Sequence, residues 1–173
     1  MKRYLTILTI LCAVLALAGM AQAQTTTLSV TVSSEASLTV TGSTTLTDAG
    51  NFADYLGNTS LTYKIRTKSG GTGQIQLKVT TDFGSAANSP SVANSGTTGD
   101  TLTYTATCSL PGTAPTGAQT ASTTASTSVA TFGASAASAK TGNAASVAWD
   151  LVNDPAYAVA TYTATVTFTI STT

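Results

Sequence analysis

Histidine is missing from the sequence altogether. With it go Ser-His-Asp and Cys-His catalysis and every His-ligated metal site. Charge is scarce too, with seven Lys and Arg and seven Asp and Glu in 173 residues. The carboxylates are scattered over different stretches, so the sequence sets up no acid–base pair of the glycosidase kind. No Gly-x-x-x-x-Gly-Lys phosphate loop occurs, and Gly70, Gly71 and Gly73 read better as a turn. Together these absences predict a chain that is not an enzyme and holds neither cofactor nor metal. Long helical patterns are also missing, as is any internal repeat of 20–50 residues, which argues against a solenoid.

Cysteine occurs only at Cys12 and Cys108, and long apolar runs are confined to the N-terminus. Lys2 and Arg3 precede a mostly apolar stretch from Leu5 to Leu17, and Ala21-Gln22-Ala23 is a small-x-small cleavage site. This pattern predicts a signal peptide over residues 1–23, a mature chain starting at Gln24, and a secreted or cell-surface location. The apolar run is shorter than the roughly 20 residues that cross a bilayer, so no membrane span is expected after processing. Loss of Lys2 and Arg3 leaves five bases against seven acids, a formal charge of −2. That is no footprint for nucleic acid. Cys108 is then alone, which excludes an intramolecular disulfide. It falls in the alternation Leu102, Tyr104, Ala106, Cys108 and reads as a small core hydrophobe. An intermolecular disulfide or a reactive thiol is the alternative.

What the sequence does have is Thr, Ser, Ala and Gly in period-two alternation with apolar residues. The C-terminal run Tyr162–Ile170 is the clearest case. Tyr162, Ala164, Val166, Phe168 and Ile170 share one face, and Thr161, Thr163, Thr165, Thr167 and Thr169 the other. Thr25 to Val32 alternates likewise, with Leu28, Val30 and Val32 on one face and no charge before Glu35. Between them, Ser37–Thr41, Thr44–Thr47, Thr101–Cys108, a ragged run ending in Val129–Phe132, and Ala145–Leu151 read as strands. Trp149 is the natural centre of the core. Asp48 to Asn58 reads as a connection whose Phe52, Tyr55 and Leu56 plug one end of it. Leu61–Lys68 and Gln74–Thr80, joined through Ser69-Gly-Gly-Thr-Gly73, predict a hairpin. Lys64, Arg66, Lys68 and Lys78 would share its outer face, a solvated face that keeps the hairpin soluble, with nucleic-acid or glycan contact as the alternative.

Asp48, Asn51 and Asp54, beside Gly50 and Gly57, form the best oxygen-ligand set for Ca²⁺, with Asp150, Asn153 and Asp154 a weaker one. Neither has EF-hand spacing, and turn-forming Asx residues explain both. Asn58-Thr-Ser60 is a sequon. The Thr-x-Thr runs evoke ice-binding arrays, but those need regular stacked repeats; Thr on an exposed strand face is also a good β-former.

Two charge-free ribbons therefore stand at the ends of the mature chain, and each needs a covering neighbour. They can pair with each other in cis, or between molecules. In this layout the chain resembles the small immunoglobulin-like surface proteins of bacteria, including chaperone–usher-type pilins. The resemblance covers the signal peptide, the segment Thr25–Val32 and the end Ala160–Ile170. Thr172 stands where the family has a penultimate aromatic, and the disulfide of many members is absent. The fold it implies is an all-β, immunoglobulin-like antiparallel β-sandwich of about seven to nine strands over residues 24–173. Residues 24–33 are the implied donor strand. The function implied is that of a structural subunit of a fimbria-like surface assembly, polymerising by strand complementation. Its partners would be other copies, other assembly subunits and a periplasmic chaperone. Donor contacts would fall to Leu28, Val30 and Val32, and acceptor contacts to Tyr162, Ala164, Val166, Phe168 and Ile170. The alternative is a monomeric secreted binding module that grips glycan or protein through loops 83–100 and 109–128.

Overall fold

The computed structural model describes residues 25–86, 88–93 and 101–173. The predicted signal peptide and residues 94–100 of the long connection lie outside the described residues. Two compact units divide the chain, Met1–Val32 and Ser33–Thr173. The nine strands of the described residues all belong to the second: β1 (Glu35–Thr41), β2 (Tyr55–Arg66), β3 (Gly73–Thr81), β4 (Leu102–Cys108), β5 (Gly112–Thr113), β6 (Gln119–Thr120), β7 (Thr127–Phe132), β8 (Asn143–Leu151) and β9 (Thr165–Thr172). The described residues contain no helix.

The strands form two antiparallel sheets, a five-stranded one in the order β1-β2-β8-β4-β6 and a four-stranded one in the order β5-β7-β3-β9. This is the two-layer plan of a β-sandwich, with alternate side chains of both sheets meeting in one core. Leu61, Tyr63 and Ile65 enter it from β2, Ile75, Leu77 and Val79 from β3, and Val147, Trp149 and Leu151 from β8. Period two in the sequence thus becomes one buried face per strand, and the alternation of exposed and buried residues along β2 and β3 is nearly unbroken. Tyr104 and Trp149 pack with ring centroids 5.6 Å apart, and Tyr63 and Phe132 with centroids 5.0 Å apart.

The predicted hairpin does not form. β2 pairs with β1 and β8, and β3 with β7 and β9, so the chain crosses from one sheet to the other at Thr67–Thr72. Alternation fixes which side chains turn inward but not whether two inward faces lie side by side or face each other. Here they face each other. The crossing is held by the buried Thr67, whose hydroxyl donates to Gly133 O at 2.8 Å and accepts from Ala136 N at 2.8 Å. Gly70, at φ 76°, supplies the left-handed turn residue. Lys64 and Arg66 consequently project from one sheet and Lys78 from the other, not from a common face.

Other expectations change at the strand ends. β2 begins at Tyr55, inside the stretch read as a connection, because Tyr55, Leu56 and Gly57 pair with Leu151, Asp150 and Trp149. Phe52 and Leu56 are exposed, and only Tyr55 packs on the core. Thr44–Thr47 is no strand; Thr47 alone makes a bridge, to Leu56. Leu46 lies so close over Gly57 that a Cβ there would be 2.5 Å from its Cδ2. The final strand starts at Thr165 rather than Tyr162, because its partner β3 ends opposite, at Thr81. Beyond Thr81, Asp82 turns the chain away, and residues 162–164 have no ladder to join.

Candidate interaction surface

β1 and β9 are the edge strands on the same flank of the two sheets. They approach one another, yet no ladder joins them. Each has one paired side, β1 with β2 and β9 with β3. The other side of each carries the unpaired backbone groups of an open edge.

The side chains on this flank are apolar and incompletely covered. Val166, Phe168 and Ile170 of β9 face the core but are only half-buried, whereas their β3 neighbours Ile75, Leu77 and Val79 are fully buried. On β1, Ala36 and Leu38 are half-buried and Val40 is 41% exposed. Phe168 reaches inward to Trp149, with centroids 6.4 Å apart in an edge-on arrangement. An unfilled flank over a core of this kind leaves apolar area in water at a cost of about 25 cal/mol per Å².

Of the acceptor residues expected from the sequence, the structure brings Val166, Phe168 and Ile170 together on β9. Ala164 packs against the core ahead of the strand. Tyr162 is turned elsewhere, its single hydroxyl proton shared between two acceptors in reach, Ala158 O at 2.9 Å and Asn88 O at 3.2 Å. The donor residues lie in no strand: Leu28, Val30 and Val32 are 91%, 86% and 62% exposed. The strand expected over Thr25–Val32 is therefore not formed. A strand needs a neighbour to satisfy its backbone, and alternation alone does not provide one.

The oxygen-ligand candidates converge, although as loop fasteners. Asn153 Nδ2 donates to Asp48 Oδ2 at 3.3 Å and to Ala53 O at 3.0 Å, and its backbone N–H donates to Asp54 Oδ1 at 3.1 Å. No group of three or more His, Cys, Asp or Glu with metal-binding spacing occurs among the described residues. Asp82 is a fastener of another loop, accepting from Phe83 N, Val92 N, Ala93 N and Ser91 Oγ at 2.8–2.9 Å. Burial pushes its carboxyl up, but these donors outweigh that and hold it below the ordinary carboxylate value. No sequence signal marks this clasp, since Asp82 stands alone among neutral residues.

Cys108 is half-buried at the end of β4. Burial pushes its thiol up, against a smaller lowering by the Tyr63 hydroxyl. Tyr63 is itself pushed up to about 12, by burial first and then by Cys108. The thiol is therefore protonated at neutral pH and behaves as packing.

No helix among the described residues is long and apolar enough to cross a membrane. Set against known proteins, the chain matches no protein family, no curated protein and no solved structure.

Proposed function

We propose that this chain is a structural subunit of an extracellular, fimbria-like bacterial surface assembly. Its domain is read as an immunoglobulin-like sandwich exported by a cleaved signal peptide. Thr25–Val32 of one copy adds to the open flank between β1 and β9 of the next. One observation carries the reading: the alternating, charge-free segment Thr25–Val32 forms no strand and exposes its apolar residues, while the sandwich has an edge flank whose apolar residues lack cover. Strand addition satisfies both, because backbone hydrogen bonds supply affinity and Leu28, Val30 and Val32 supply the apolar cover.

The test is gel filtration and electron microscopy of the mature protein, residues 24–173. Ladders or fibres that vanish with Leu28→Asp or Val30→Asp are the expected result. A discrete monomer at every concentration, unchanged when residues 24–32 are deleted, overturns the assembly. It would favour the monomeric binding module, for which the Asp82-clasped loop supplies a fixed surface.

A further inference from the structure

The few charges of the sandwich are sorted by end. Lys64 and Arg66 lie at the close of β2, Lys68 follows in the crossing to β3, and Lys140 precedes β8. Ser37, Lys64, Arg66 and Lys140 line a shared cleft of about 300 Å³, with Glu35 paired to Arg66 at 3.2 Å. At the opposite end stand Asp54 just before β2, Asp48 tied to Asn153, Asp150 opposite Leu56, Asp154 beyond β8, and Asp82 just beyond β3. Strand direction places them so: β2 runs from the acidic end to the basic end, and β3 runs back. Among the described charged side chains only Glu35 and Lys78 fall outside this division.

The ends are too far apart to neutralise each other. From Tyr55 to Arg66 the strand spans about 36 Å at its usual rise, against a Debye length of about 8–10 Å in physiological salt. Each end is an independent patch, and the opposite end of another copy is the complementary surface nearest to hand. Chain direction agrees with this. The backbone enters β1 at the basic end, where Arg66 Nε donates to Ser33 O at 2.7 Å.

We propose that the partner of the basic end (Lys64, Arg66, Lys68, Lys140) is the acidic end (Asp48, Asp54, Asp150, Asp154) of a second copy. This end-to-end contact gives the assembly its polarity and its rate. The inference rests on the assembly reading above, for which it names the surfaces that orient one subunit on the next. Such a head-to-tail contact is heterologous, and where its rotation does not close a ring it repeats along a filament.

The experiment follows assembly of the mature protein by light scattering at about 20 mM and about 500 mM NaCl, where steering between charged surfaces predicts a rate at least about tenfold lower in high salt. Lys64→Glu with Lys140→Glu should slow low-salt assembly by a similar factor, as should Asp48→Lys with Asp150→Lys. An equimolar mixture of the two variants should recover alternating co-assembly at near the parental rate. Circular dichroism establishes that each variant is folded, and the salt series on the unaltered protein requires no variant at all. Assembly that needs Leu28 and Val30 but ignores salt and both charge reversals overturns the end-to-end contact and leaves strand complementation standing. Association that follows charge but survives deletion of residues 24–32 supports the contact and overturns complementation. No association under any condition overturns both.

Discussion

Trp149 donates its indole N–H to the hydroxyl of Thr59 at 2.8 Å, in the interior between neighbouring strands β8 and β2. Thr59 in turn shares a 2.6 Å hydrogen bond with Thr44, which bonds Asn58 O at 3.3 Å. A buried indole needs one acceptor, and this threonine supplies it from a strand whose other inward residues are apolar. Thr59→Val keeps the shape and removes the acceptor. We expect a loss of about 1–3 kcal/mol, the cost of an unsatisfied buried donor. Urea unfolding followed by the fluorescence of this single tryptophan measures it, and Thr59→Ser should recover most of the loss.

Gly112 marks a second tight contact. A Cβ there would run into Cys108 Sγ and sit 2.9 Å from the Phe132 ring. Gly112→Ala should destabilise by about 1–3 kcal/mol through overpacking. Cys108→Ala removes the nearest obstacle, so the double variant should be more stable than the sum of the single changes by about 0.5 kcal/mol or more. Strict additivity in denaturant melts would show that the strain lies on Phe132 instead.

Strand existence was readable from alternation. Leu61, Tyr63 and Ile65, or Val147, Trp149 and Leu151, announce their buried face by spacing alone. Partner choice was not, because the same pattern serves a hairpin or a crossing between sheets, and Ser69–Gly73 suits both. Gly57 and Asn58 hid the start of β2, since residues that usually break strands are tolerated where Leu46 closes over a missing Cβ. The open flank was half legible. The end strand was found at Val166, Phe168 and Ile170, but its exposed side depends on which strand pairs with β3. The sorting of charge into two ends could not be seen in the linear order, where acids and bases alternate irregularly.

Asp82 predicts the acid response. Its carboxyl lies below its ordinary value in the folded protein, so it binds fewer protons there than when unfolded. Its contribution is complete above the unfolded value near 3.8 and is lost as pH falls through the lower folded value. Asp82→Asn should therefore cost about 1–2 kcal/mol at neutral pH, the lower part of the range for bonds to a charged group because the site is only partly buried. The deficit relative to the parent should shrink below pH 4. Thermal melts at pH 3 and pH 7 on both proteins check the sign, and an equal deficit at both values would assign the clasp to geometry rather than charge.

Val40 offers the sharpest cut between folding and assembly. It stands opposite Leu61 on β1, points toward the core side of the flank, and is already 41% exposed. Because so much of it meets solvent, Val40→Lys should cost the monomer only about 0.5–1 kcal/mol in lost burial. The same change puts an ammonium where an added strand must place an apolar side chain, and a charge turned toward the pairing edge is how natural sheets refuse extension. Monomer melting should thus stay within a few degrees of the parent, while fibres or ladders disappear from gel filtration and micrographs. Thr39→Lys, one residue along on the solvent face, carries the same charge and should leave assembly intact. If both lysines abolish assembly alike, net charge is the cause. If neither does, the added strand does not lie against β1, and the open side of β9 is the one it occupies.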